Sequence, residues 1–255
     1  MRRTLAFSLL FGLGVTAAVA DTAGSCSIRA GRTEEKLSFN WQRGDCATEH
    51  GCNESGSDML WSKWSGVTPG DLQREGAAVD ARMRAESGEI RCVGTVHQAA
   101  MRGTYSFTPD AEFAKRMTAM GFFDQTPERL QGYAMLDVTT AWAKEMKDAG
   151  VTEVTAEKLM GLKALKVDAA YVKAMAAAGY PELRANRLTG MKAVGVSPEK
   201  VQAVRAMGYS PTQEELIQMS VLKIDAPFVE RMKARGFQSL TIAQLVKIKV
   251  FKLDE

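Results

Sequence analysis

The sequence predicts an α+β protein: a small antiparallel β domain followed by an α-helical solenoid of five two-helix repeats. Three observations carry that expectation. A pattern of about 29 residues recurs between Asp110 and Leu253. Residues 35–108 instead alternate apolar and polar side chains, the period of a half-buried strand. The change from one period to the other falls at Pro109. The expected organisation is a signal peptide over 1–20, a linker over 21–34, a disulfide-braced β domain over 35–109 and repeats over 110–255.

Each repeat opens on a small polar residue, at Asp110, Thr139, Asp168, Ser197 and Asp225. Three positions on comes an anchor (Phe113, Trp142, Tyr171, Lys200, Phe228), and four further Met117, Met146, Met175, Val204 or Met232. That spacing puts anchor and Met on one helical face, and the opening side chain is placed to cap the first turn. Gly121, Gly150, Gly179, Gly208 and Gly236 suit the left-handed residue that ends such a helix. A second helix begins behind Thr126-Pro127, Thr155, Thr212 and Thr241, carries Leu130, Leu159, Leu188, Leu216 or Leu245, and closes near Val138, Val167, Val196, Ile224 or Leu253. No copy can bury such a stripe alone, so the copies must stack. The Met and aromatic stripe is core rather than a cofactor site. Lys200 breaks it, and Lys247, Lys249 and Lys252 form a solvated face on the last copy.

At the other end, Arg2-Arg3, the apolar run Leu5 to Val15 and Ala18-Val19-Ala20 make an export signal with a mature start near Asp21. The stretch before Cys26 lacks the large apolar residue expected of a lipidated cysteine, and no stretch is long and apolar enough for a transmembrane anchor in the mature chain. The 33 basic and 30 acidic residues fall almost level once Arg2 and Arg3 are removed, leaving a net charge of about +1. That balance argues against a nucleic-acid partner.

Four cysteines, Cys26, Cys46, Cys52 and Cys92, precede the repeats. In an exported chain they read as disulfides with three possible connectivities, of which Cys46 with Cys52 and Cys26 with Cys92 is the favoured one because Cys46 and Cys52 flank a short polar loop. The competing reading is a metal site from Cys46, His50 and Cys52, which would make the chain a metal-dependent hydrolase of the envelope.

Strands are expected around Leu37-Phe39-Trp41, Val79 to Ala85, Ile90 to Val96 and Gly103 to Phe107, four or five in all, with a turn at Ser87-Gly88. Trp61 and Trp64, three apart in the polar segment between strands, are either a binding platform or a plug for one end of the sheet.

The repeat Asp225-Ala226-Pro227-Phe228-Val229-Glu230-Arg231-Met232, with Gly236-Phe237 behind it, resembles a two-helix repeat of extracytoplasmic bacterial proteins. It is similar to the C-terminal region of membrane metallopeptidases related to β-lactam sensors and antirepressors. The run Ala85-Glu86-Ser87-Gly88-Glu89-Ile90-Arg91-Cys92, continuing through Arg102 to Asp110, resembles the strand pair that introduces those repeats. The resemblance covers roughly residues 35–253 and implies architecture, not chemistry. The zinc-binding His-Glu-x-x-His helix of those peptidases is missing here, where His50 and His97 are the only histidines.

No nucleophile elbow, phosphate loop or dinucleotide fingerprint occurs. The expectation is therefore a non-enzymatic module of the bacterial envelope, without cofactor, whose repeats bind an envelope protein or cell-wall fragment.

Overall fold

The computed structural model describes residues 22–43 and 53–253. Its first part is one antiparallel sheet of β1 (Thr22–Ala30), β2 (Lys36–Arg43), β3 (Asn53–Leu60), β4 (Trp64–Ser65), β5 (Ala78–Ala85), β6 (Gly88–His97) and β7 (Ala100–Pro109). The order is β3-β2-β1-β7-β6-β5-β4, curled into half a barrel.

The linker expected over 21–34 is corrected: most of it is β1, which lies between β2 and β7 at the middle of the sheet. Its alternation rests on Cys26 and Ile28 alone, both buried, among small polar residues. Two apolar positions are too few to announce a strand. Among the described residues the sheet accordingly has seven strands instead of four or five.

Two facing glycines mark a close backbone approach along β7. Cys26 pairs with Gly103 there, and Gly103 pairs with Gly94 of β6. A Cβ on Gly103 would sit 1.9 Å from the Val93 carbonyl oxygen, and one on Gly94 1.9 Å from that of Arg102. Only glycine permits this approach. Ile28, Leu37, Phe39, Ile90, Val96, Met101, Tyr105 and Phe107 fill the inner face.

Ten helices follow in five pairs among the described residues, which matches the α+β expectation. The first helices of the pairs are α1 (Ala111–Ala119), α3 (Thr140–Asp148), α5 (Ala169–Ala177), α7 (Pro198–Ala206) and α9 (Ala226–Ala234). The second helices are α2 (Pro127–Leu136), α4 (Ala156–Ala164), α6 (Ala185–Ala193), α8 (Gln213–Val221) and α10 (Ile242–Val250).

Asp110, Thr139, Asp168, Ser197 and Asp225 each accept the backbone N–H three residues on, from Phe113, Trp142, Tyr171, Lys200 and Phe228. The four expected threonine caps of second helices do the same, and α6 begins at Arg184 without a side-chain cap. All five closing glycines have φ between 87° and 96°. The second helices end through a left-handed residue too, which is Asp137, Lys166, Lys223 or Lys252 in four copies and Gly195 in the third.

The second helices stack in an unbroken row, α2 on α4, α4 on α6, α6 on α8 and α8 on α10, and α2 also packs on β6 and β7. Gly132, Gly161 and Gly190, a recurrence the sequence reading passed over, face Met160, Thr189 and Ile217 of the next copy. Absent side chains there let helix axes come close. A two-residue parallel pair, β8 (Val151–Thr152) with β9 (Leu183–Arg184), ties the second copy to the third.

Candidate binding surfaces

The junction between sheet and solenoid is built by the β5–β6 turn. Glu86 Oε2 accepts the Thr140 backbone N–H at 3.0 Å and its hydroxyl at 2.9 Å, and the Ser87 carbonyl accepts the Asp110 N–H at 3.0 Å. One turn thus holds the starts of α1 and α3, and its carboxylate lies where the α3 dipole favours negative charge. Lys63 pairs with Asp137 at 3.2 Å across the same junction.

Along the solenoid, one edge carries a lysine over an anchor ring. Lys163 Nζ lies 4.8 Å from the Trp142 ring centroid, Lys192 4.3 Å from Tyr171, and Lys249 4.3 Å from Phe228. Each lysine is four residues past the repeat leucine. Where the anchor is Lys200, Ser220 takes that place, and where Phe113 is sealed against Tyr133 the place is Ala134. The pairing therefore follows the repeat register where the anchor is aromatic and the lysine is present, placing the ammonium over the ring as a cation–π contact requires. Burial pulls the Lys163 ammonium below its usual pKa. It also pushes the Tyr133 and Tyr171 hydroxyls up to about 12, where they donate to the carbonyls of Ala156 (2.6 Å) and Val196 (2.8 Å). These contacts explain why the aromatic anchors are structural. Lys249, expected as a solvated terminal lysine, belongs to this set. Among the described residues, nothing covers Phe251 and Leu253 at that end, 68% and 67% exposed.

The first helices stack less closely than the second, and a groove of about 380 Å³ opens between α3 and α5. Ala141, Ala149 and Ala169 line it with Lys144, Glu145, Asp148 and Lys173. On the sheet, Ser25, Ser27, Asn40, Gln42 and Arg102 wall a cleft of about 270 Å³ whose floor is the backbone of β1, β2 and β7.

Trp61 and Trp64 do not form a platform. Trp64 is buried, its ring centroid 4.9 Å from that of Phe39, and Trp61 is half-buried against the core. The sheet end needs filling where β4 meets β5, and apolar burial outweighs display. Of the cysteines, Cys26 and Cys92 form the expected disulfide. Cys46, Cys52 and His50 lie outside the described residues.

The other histidine is held where no motif foretold it. His97 Nδ1 lies 2.9 Å from Glu75 Oε1, and its Nε2 lies 3.2 Å from the Thr95 hydroxyl. Glu75 Oε2 also accepts the Gln98 backbone N–H at 3.0 Å. The His97 ring and then the Gln98 N–H hold the Glu75 carboxyl below the ordinary range. Thr95 and His97 two apart on a strand is a sequence signal, but Glu75 comes from a loop and the sequence does not place it.

No family model, curated protein or solved structure matches the chain.

Proposed function

We propose that this chain is an exported interaction module of the bacterial cell envelope that binds a protein or cell-wall fragment through its repeats. The observation that carries the reading is the unequal packing of the two helix layers. The second helices spend their faces on one another, whereas α3 and α5 leave a groove with a small apolar floor and charged rims. Solenoids offer such elongated surfaces to partners. The Cys26–Cys92 bridge supports an oxidising compartment, and no helix of the described residues is long and apolar enough to cross a membrane. The resemblance to extracytoplasmic regions of membrane metallopeptidases supports the same reading.

The test is crosslinking in intact cells followed by mass spectrometry, comparing the wild-type chain with Ala141→Arg combined with Lys173→Glu. Both positions are exposed, so the fold tolerates the change. Envelope partners recovered with the wild type and lost with the variant support the groove. Partners kept by the variant move the site off this groove, and none in either overturns the proposal.

A further inference from the structure

We infer that Thr95, His97 and Glu75 form a small esterolytic site on the outer face of the sheet, separate from the repeat surface. The order of contacts is hydroxyl, imidazole, carboxylate, with the two ring nitrogens facing opposite partners. An ionised carboxylate accepts hydrogen bonds and donates none, so Glu75 fixes the ring proton on Nδ1. That leaves the Nε2 lone pair facing the Thr95 hydroxyl, the tautomer a general base needs. Glu75 is itself fixed by the Gln98 N–H, at a turn where Gln98 and Ala99 have φ of 53° and 57°. Hence Glu75 is a positioning residue, while Thr95 and His97 are the catalytic pair.

The surroundings suggest the substrate class. Arg102 stands directly opposite Thr95 on β7 and directly opposite Ser27 on β1, so it separates the hydroxyl from the polar cleft. Directly opposed side chains in a sheet have Cβ atoms about 5 Å apart. Among the described residues no carboxylate pairs with Arg102, whereas nearby Arg91 is taken by Asp80 at 2.8 Å. The site therefore fits a small ester with an anionic group that reaches Arg102 while the carbonyl meets Thr95.

The reaction balances without a co-reactant beyond water. Thr95 Oγ bonds to the ester carbonyl carbon as its proton passes to His97 Nε2. The carbon–alkoxy bond breaks, and the leaving oxygen takes that proton. Water then attacks the acyl-threonine, giving its proton to His97, which returns it to Thr95 Oγ. The products are an acid and an alcohol.

The experiment uses the whole chain with p-nitrophenyl acetate and the mono-p-nitrophenyl ester of succinic acid. Expected is hydrolysis by the wild type that falls about a hundredfold or more in Thr95→Ala and His97→Ala, on the scale of general-base assistance. Thr95→Ser retains activity, and the preference for the succinate ester disappears in Arg102→Gln. Glu75→Gln lowers kcat with KM little changed, and Glu75→Asp restores part of it. Peptide mass spectrometry of the acetate reaction places the acyl group on Thr95. Equal rates in wild type, Thr95→Ala and His97→Ala, with acylation confined to lysines, overturn the proposal. Circular dichroism of each variant separates loss of chemistry from loss of fold, and an unfolded alanine variant shifts the decision to the Thr95→Ser and Thr95→Val pair.

Discussion

Cys26 and Cys92 are joined across a strand that belongs to neither of them. β7 runs between β1 and β6, yet the two Cα atoms are 6.1 Å apart. In a flat sheet, strands two places apart lie about 9.5 Å from each other. Gly103, the β7 residue paired with Cys26, contributes by letting β7 press against β6, since a Cβ there would meet the Val93 carbonyl. The disulfide therefore pins the curl of the half-barrel as well as linking distant segments.

Removing the bridge should cost much of the stability of the β domain. The cysteines are 66 residues apart, and closing a loop of that size in the unfolded chain corresponds to about 4 kcal/mol. Cys26→Ser with Cys92→Ser is expected to lower the urea midpoint by that equivalent. Reductant should shift the wild type similarly and leave the double variant unmoved. A double variant as stable as the wild type would contradict the account.

Glu86 should couple the two parts of the molecule. Its carboxylate is an N-terminal cap for α3 supplied from 54 positions away. Glu86→Ala is expected to cost about 1 kcal/mol. It should also raise hydrogen exchange at the first turn of α3 while β5 and β6 stay protected. Uniform exchange changes would mean that no local cap had been lost.

Asp80 sets an acid dependence. Arg91 and then Arg82 hold its carboxyl well below the usual carboxylate range. The folded pKa is thus depressed relative to the unfolded one, so the stabilisation is present above the unfolded value and lost as pH falls through the folded value. Asp80→Asn should be less stable than the wild type at neutral pH, with the gap narrowing in strong acid. Denaturation midpoints across that range check it, and a gap that widens in acid would refute the sign.

Tyr171 should matter through its hydroxyl as well as its ring. Tyr171→Phe leaves the Val196 carbonyl without its donor at the end of α6, a loss of about 1 kcal/mol. Val196 is 1% exposed, so water cannot readily replace the bond. A midpoint equal to the wild type would show that the carbonyl finds another donor.

The repeat region was legible because its signals are local. Caps at Asp110 or Thr241 and glycines such as Gly121 act within one helical turn, and apolar spacing alone marks the stacking face. The β1 strand was not legible, since Cys26 and Ile28 become core only once β2 and β7 flank them. Trp64 was ambiguous for the same reason: three-residue spacing to Trp61 says nothing of Phe39, which decides its burial.

By itself, then, the sequence determined the α+β class, the five helix pairs with most of their ends, and the cysteines available for bridging. Tertiary structure alone decided the sheet order, the close approach of Gly103 and Gly94, the Glu86 clamp and the meeting of Glu75 with His97. The reason is physical: helix ends and periods are set by forces within a few residues. Strand pairing and side-chain clusters depend on contacts between segments whose separation along the chain carries no information about their distance in space.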